Sequence, residues 1–340
     1  MTLSRTMMER CVRGGIGVIV IVGLATAAAA QVPSSVPDAS ATRPLTLIVP
    51  FPAGGPSDAL ARAVAQGMSA HLKQAIVVEN ISGASGTIGL AKLVKSAPDG
   101  STLAFGTVGT HVANAALYKK LPYDPLADFE AVGLAGTAPT MLVARPSLPA
   151  SDLAGFLAYA DANRAKATYG SAGVGSISHF ACVILLSALK QNITHVPYRG
   201  VAPAMNDLLG GRIDVMCDQT TTALPQVAGG KIKALAVLTD RRLPQLPDIA
   251  TAASFGYGDV NIRAWNALFV PRGTPAAVVG RLNDALRAAV ADGDLRRQMQ
   301  AVGVDLPTAA DLAPRTVSEL IAEGLARDAP ALRARGEYLD

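Results

Sequence analysis

The stretch Thr46–Ala65, TLIVPFPAGGPSDALARAVA, decides the fold. An apolar strand pattern breaks into a Gly/Pro loop, and a helical pattern begins at once. Such a turn aims backbone N–H groups and the positive end of a helix dipole at one spot, which suits an anion. Phosphate-binding loops add GK[ST], so that a lysine neutralises charge and a hydroxyl holds magnesium. Here Gly54 and Gly55 lead instead to Pro56, Ser57 and Asp58. The turn therefore argues against a nucleotide and for a smaller, less charged anion.

Outward from this turn, strand and helix patterns alternate. Leu45–Val49 reads as a strand and Asp58–Leu72 as a helix, followed by a strand at AIVVEN, a helix at TIGLAKLVKSA and a strand at STLAFGT. A break near Ser151 opens a second alternating series, from ATYGSAG through RIDVMCD to IKALAVLT. VNIRAWNALFVPRGTP reads as a long return strand, with Thr274 as N-cap and Pro275 as first-turn proline of a helix over Ala276–Ala291. Continuous apolar strands between helices predict a mostly parallel sheet. The order predicts two α/β lobes, 44–143 with 264–340 and 144–263, joined by crossings near Val143–Pro146 and Ile262–Ala264. Ligands lie in the gap between strand ends of such lobes.

The chain has 340 residues and a formal charge of +4, with basic residues scattered singly or in pairs. Nothing marks a nucleic-acid face. Few aromatics leave a core of Ala, Val, Leu and Ile. At the N-terminus, Arg5, Arg10 and Arg13 precede GGIGVIVIVGLATAAAA. The small residues Ala28–Ala30 fit a signal-peptidase site, giving a signal peptide over 1–30, a mature start at Gln31 and a polar lead over 31–43. The competing reading is an uncleaved anchor. Export leaves Cys182 and Cys217 in an oxidising compartment, where they either pair or sit apart as small buried hydrophobes. His71, His111, His179 and His195 show no metal-ligand spacing with them.

Three glycine-rich loops follow strands and open helices: Pro50–Asp58, Gly106–Asn114 and Tyr169–His179. All three are expected at the inter-lobe gap. They offer N–H and hydroxyl donors, including Ser57, Thr107, Thr110, Ser171 and Ser176, and contain no Lys or Arg. The third loop nearly reads G-x-G-x-x-G, but Ser178 replaces the last glycine and no acidic partner follows at the ribose distance, so no dinucleotide cofactor is expected. Neither Ser171 nor Ser176 sits in G-x-S-x-G. Plainer roles compete at each position. The glycines can serve only tight turns, Asp58 can stabilise its own helix, and a lone His111 or His179 can support the fold. Asp218 can answer a ligand ammonium or cap the turn that follows it.

At these residues the sequence resembles the periplasmic solute receptors of tripartite tricarboxylate transporters, the Bug family. The matching stretches include IVPFPAGGPSDALAR, GASGTIG, LYKKLPYDPLADFE, THVPYRGVAPAMNDLLGGRIDVMCDQ and FVPRGTP, and they cover essentially the whole mature chain. The resemblance implies a two-lobed periplasmic-binding-protein-like fold (type II) closing on a small carboxylate, with no catalytic residue, cofactor or metal. Carried over position by position, it assigns ligand grips to Ala53, Gly54, Gly55, Ser57 and Asp58, and to Ser171, Gly173, Gly175 and Ser176. It assigns a middle contribution to Gly109, Thr110 and His111. MCDQTTT resembles members that bind acidic amino acids, which makes Asp218 a candidate ammonium partner. Ile81-Ser82 and Ser101 depart from the family pattern outside these grips. The implied protein is a periplasmic monomer that hands a di- or tricarboxylate or acidic amino acid to membrane transporter subunits. The alternatives are an exported hydrolase or isomerase using Ser176 with His179 or His111, and a receptor presenting its ligand to a sensor kinase.

The arginine–apolar–alanine order makes one direct prediction. Protein recovered by osmotic shock will begin at or near Gln31 by N-terminal sequencing, and an intact Met1 in that fraction would refute the cleavable signal.

Overall fold

The structure, a computed structural model, describes residues 43–164 and 166–334. The expected signal peptide and the lead up to residue 42 lie outside the described residues. The chain opens with β1 (Leu45–Val49), α1 (Pro56–Leu72), β2 (Ile76–Asn80), α2 (Thr87–Val94) and β3 (Thr102–Thr107). A π-helical turn at Gly109–Ala113 runs into α3 (Asn114–Leu117), and a long strand β4 (Phe129–Ala144) follows. The second series is α4 (Leu153–Ala162), β5 (Thr168–Ser171), α5 (Ile177–Ala188), β6 (Thr194–Pro197), α6 (Val201–Leu209), β7 (Val215–Gln219), α7 (Thr220–Ala228) and β8 (Lys233–Val237). The return strand is β9 (Arg263–Pro271), then α8 (Ala276–Ala291), α9 (Gly293–Ala301), α10 (Pro314–Arg327) and α11 (Ala329–Ala334). No described helix is long and apolar enough to cross a membrane.

The local reasons are ordinary ones. Proline at the first position of α1 costs no intrahelical bond, because that N–H would be unpaired anyway. Leu60, Ala61, Val64, Ala65 and Met68 then fall on one buried face. Small residues let helices approach closely: a Cβ at Gly67 of α1 would come within 2.7 Å of the Ala289 Cβ on α8. This packing of alanine-rich helices on aliphatic strands explains how the core forms with few aromatics.

The strand order is β2-β1-β3-β9-β4-β7-β5-β6, with β8 also on β4. The expected mostly parallel sheet is not what forms. β1 runs parallel to β2 and β3, and β5 runs parallel to β6 and β7, but β4 and β9 are antiparallel to all their neighbours. The two long strands return through the middle of the molecule, so each half joins parallel βαβ units to an antiparallel return. Two lobes result, and β4 belongs to both. It pairs with β9 from Phe129 to Pro139 and with β7 from Thr140 to Ala144. The change of sheet along β4 thus comes at Pro139–Thr140, and the strand continues unbroken to Ala144. Beside it, Thr140 N–H donates to the Ile262 carbonyl (3.3 Å), so the second crossing runs next to the first.

Thr274 does not act as the expected N-cap. Its hydroxyl donates back to the Pro271 carbonyl (2.8 Å), and Pro275 takes the cap position. In the second lobe a disulfide joins Cys182 on α5 to Cys217 on β7, with both residues buried. Closing a loop with a sequence separation of 35 residues restricts the unfolded chain. This predicts that Cys182→Ala/Cys217→Ala loses ~3–4 kcal/mol in urea unfolding. Added reductant should destabilise wild type in the same assay and leave the variant unchanged.

Candidate ligand cleft

Between the lobes lies a narrow cleft. Its first-lobe side comes from the loop after β1, the end of β3 and the start of β9. The second-lobe side comes from the loop after β5, the Gly200–Pro203 approach to α6, and Gln219 at the end of β7. No charged side chain lines it among the described residues.

Three helices open on this space without a side-chain cap. Gly55 precedes α1, Gly200 precedes α6 and Gln219 precedes α7, and none of the three helices has a side-chain N-cap bond. Apart from Pro56 and Pro203, which carry no N–H, their first-turn N–H groups have no intrahelical acceptor, and the helix dipoles give that end positive character. By contrast, α5 caps itself: Ser176 Oγ accepts from the His179 N–H (3.3 Å).

Of the residues singled out in the sequence, Ala53, Gly55, Ser57 and Ser176 line the cleft. Gly54 and Asp58 stand behind it. Gly54 N–H donates to Asp58 Oδ2 (2.9 Å), and the same carboxylate accepts from Arg62 Nε (2.9 Å) and Asn80 Nδ2 (2.9 Å). Burial pushes the Asp58 pKa up, but hydrogen bonds from Arg62, Gly54 and Asn80 outweigh it and hold the carboxyl below its ordinary value. Asp58 braces the turn; it does not face the cleft.

The middle loop is also displaced from its expected role. Gly109, Thr110 and His111 lie in the π-helical turn and are buried, and the loop's contribution to the cleft wall is Thr107. The His111 ring stacks on Phe269 at 4.2 Å and holds Thr110 Oγ1 through Nδ1 at 2.9 Å. Burial pushes its pKa down to about 3, so the imidazole is neutral. It is a core residue.

The third loop spends most of its donors internally. Ala172 N–H donates to Ser178 Oγ (2.8 Å), Gly173 N–H to Ser171 Oγ (3.1 Å) and Gly175 N–H to His179 Nδ1 (3.2 Å). Gly175 is glycine because it touches the first lobe: φ is +83°, and a Cβ would meet Asn114 Oδ1 at 2.4 Å. Ser85 Oγ reaches across to the Val174 carbonyl. Ser171 is buried and hydrogen-bonds His195 Nε2 at 2.7 Å, a pairing no local motif announces. Ser176 Oγ meets Ser178 Oγ (3.0 Å), while His179 Nδ1 accepts from the Gly175 N–H and His111 Nδ1 meets Thr110 Oγ1.

Asn266, Gln219 and the Gly200–Pro203 loop were not anticipated as cleft residues. The loop carried a usable signal in Gly200-Val201-Ala202-Pro203, a glycine shortly before a proline; in the structure Gly200 has φ +122° and Pro203 lies in the first turn of α6. Asn266 and Gln219 carried none, because only the strand register brings them to the cleft: Gln219 faces Thr140, and Asn266 faces Gly136. Ser57 Oγ donates to Asn266 Oδ1 at 2.8 Å.

A family model described as tripartite tricarboxylate transporter family receptor matches residues 60–336. The chain belongs to this family. Solved structures agree in fold. MatC from Rhodopseudomonas palustris, with bound malate, is 38% identical with a TM-score of 0.82, over 85% of this chain and 99% of MatC. The periplasmic binding protein BugD is 35% identical, with a TM-score of 0.83 over 87% of this chain and 98% of BugD. Rpa4515 of R. palustris, with adipate, is 32% identical, with a TM-score of 0.82 over 87% of this chain and 98% of that one. The receptor family's two-lobed α/β architecture is thus the architecture of this chain, and its members are solute-binding receptors.

Asp218 lies beside the cleft without lining it. Its Oδ2 accepts from Thr222 Oγ1, its Oδ1 is buried with no hydrogen-bond partner, and burial pushes its pKa up to about 6. A folded-state pKa above the unfolded value of about 3.9 gives stability that is complete below about pH 4 and lost as pH rises through about 6. The loss is about 3 kcal/mol by pH 7.5, at about 1.4 kcal/mol per unit. Asp218→Asn should therefore flatten the fall in melting temperature between pH 5 and 7.5, and equal slopes for the two proteins would refute the assignment.

Proposed function

We propose that this chain is an exported receptor that captures a small carboxylate between its lobes and presents it to the membrane subunits of a tripartite transporter. The observation that carries this is the cleft itself, enclosed by both lobes and lined by neutral dipoles with no lysine or arginine. Three helix N-termini and the Ser57–Asn266–Thr107 floor offer hydrogen bonds to a carboxylate without an opposite charge. Hydrogen bonds to a charged group contribute about 1.5–3 kcal/mol each. A few of them reach micromolar affinity after the entropy of association. The malate bound to MatC and the adipate bound to Rpa4515 support the ligand class.

Binding without turnover is supported by the engagement of Ser176 in capping α5 and by the burial of His111. In this reading the mature protein starts near Gln31 in the periplasm and works as a monomer. Its lobes divide where β4 and the approach to β9 cross, at Thr140 and Ile262. The first-lobe grip is Ala53, Gly55 and Ser57, with Gly54 and Asp58 as its brace. The second-lobe grip is shared between Ser176, the start of α6 and Gln219, with Ser171, Gly173 and Gly175 shaping the loop behind.

Gly55→Asp tests the clamp. Gly55 occupies an extended N-cap conformation with φ −81°, and a Cβ there meets only the Pro52 carbonyl at 3.4 Å. Aspartate is a good N-cap, so the fold should hold while a negative charge occupies the anion's place. Affinity for malate or adipate by calorimetry should fall by at least about a hundredfold, ~3 kcal/mol. Wild-type affinity should change little from low to high salt, since buried dipoles are weakly screened. Unchanged affinity in Gly55→Asp, or a collapse with salt, would place the grip elsewhere.

A further inference from the structure

The turn between β2 and α2 runs through four consecutive residues at positive φ. Gly83, Ala84, Ser85 and Gly86 have φ of +131°, +45°, +54° and +88°. The other non-glycine residues at positive φ among the described residues, Lys73 and Lys190, stand at helix ends, where a left-handed residue is usual. Ala84 and Ser85 have no such reason. Side chains of the first lobe hold them in place. Tyr118 Oη and Thr87 Oγ1 both donate to the Ala84 carbonyl (2.8 Å each), and Asn114 Nδ2 donates to the Ser85 carbonyl (3.0 Å).

This conformation delivers the Ser85 hydroxyl to the other lobe, where it donates to the Val174 carbonyl. Around that bond the lobes touch. A Cβ on Gly175 would come within 3.2 Å of the Ser85 Cβ, and a Cβ on Gly109 within 2.8 Å of the Gly175 carbonyl oxygen. None of Ser85, Asn114, Val174 and Gly175 lines the cleft, but Ser176, next along the same loop, does. The contact is also remote from the crossing. Ser85 follows the edge strand β2, with β1 and β3 between it and β9, and Val174 follows β5, with β7 between it and β4. Strands lie about 4.8 Å apart, so a rotation about Thr140 and Ile262 parts Ser85 from Val174 while the junction stays paired. The bond from Thr220 Oγ1 to the Gly303 carbonyl (3.0 Å) differs, because it lies near the crossing, where Thr137 pairs with Asp305.

We propose that the Gly83–Gly86 turn is a latch, in which Ser85 is a positioning residue that holds the lobes closed without touching the ligand. Backbone in sparsely populated conformations persists where its surroundings over-determine it, and it collects at clamps and switches. Here the outlier has such a use: it aims one hydroxyl at the back of the second-lobe grip. The inference rests on the reading of the chain as a receptor that closes, and adds what sets the lifetime of the closed state.

The test is lobe closure and ligand kinetics in Ser85→Ala, with Ser85→Asn as the conservative variant, since asparagine tolerates left-handed backbone and keeps a donor. Dyes on Lys95→Cys and Lys190→Cys, one exposed position in each lobe, report closure by energy transfer, because Cys182 and Cys217 are bonded to each other. Without ligand, Ser85→Ala should lower the closed-to-open ratio by about three- to tenfold, as the loss of one neutral hydrogen bond implies. Ser85→Asn should restore it. Ser85→Gly lacks the hydroxyl but suits the backbone, so it should lose closure as Ser85→Ala does, with no folding defect to confuse the result. With malate or adipate, dissociation should be faster by the same factor and association unchanged. Equal closure in wild type and both hydroxyl-free variants, or slower association in place of faster dissociation, would overturn the latch. If neither acid closes the lobes of wild type, the carboxylate reading falls, and the ligand-free comparison still decides the latch.

Discussion

The structure depends on one crossing. At Thr140 the strand β4 stops pairing with β9 and begins pairing with β7, and the chain returning to the first lobe passes beside it. Thr140 gives both its N–H and its Oγ1 to the Ile262 carbonyl, at 3.3 and 2.9 Å. Its own carbonyl accepts from the Leu238 N–H (2.8 Å), and the Leu238 carbonyl accepts from the Ile262 N–H (2.6 Å). Three segments are thereby tied at one buried point where a sheet would otherwise end with unpaired backbone groups. Arg263 adds a partly exposed bridge from Asp240 to Asp305 (3.0 and 3.2 Å). Exposed ion pairs of that kind contribute up to about 1 kcal/mol, so the backbone bonds and the threonine hydroxyl carry the junction.

The same crossing supplies the floor of the cleft. Gln219 lies opposite Thr140, Trp265 opposite Thr137 and Asn266 opposite Gly136, so the residues nearest the junction reach the space between the lobes. Strand register, not a motif, gathers them. The helices α1, α6 and α7 each start next to residues that line the cleft, which brings three helix N-termini without a side-chain cap to one region. Their convergence follows from winding parallel βαβ units on each side of a common antiparallel pair.

This divides what the residues announced from what they concealed. The strand–glycine–helix turn at Thr46–Ala65 was legible because its signals are local: an apolar run, a glycine pair, then a first-turn proline. The helix Ala276–Ala291 was legible in extent for the same reason. The sense of β4 and β9 was not, since an apolar strand looks alike whether its neighbours run with it or against it. Candidate residues in the loops were legible only as donors. Whether a donor is free depends on what folds against it, and here Asp58 takes up Gly54, His179 takes up Gly175 and Ser171 takes up Gly173. Asn266 and Gln219 sit inside ordinary strand patterns and become cleft residues through pairing alone.

The internal use of these donors has a physical purpose. A loop whose N–H groups all pointed into an empty cleft would have no fixed shape, and ordering it on binding would subtract from affinity. Asp58 fixes the first loop through Gly54 and is itself neutralised by Arg62, so its charge is balanced before any ligand arrives. His179 and Ser171 fix the third loop in the same way. What is left for the ligand is a small set of donors on backbone already held in place: the first turns of α1, α6 and α7, and the amides of Asn266 and Gln219. The acidic groups that might repel a carboxylate are thus spent as internal acceptors. With Asp58 paired to Arg62, and Asp218 held towards its neutral form by burial, the cleft can attract an anion with dipoles alone and needs no buried cation whose desolvation would oppose both folding and release.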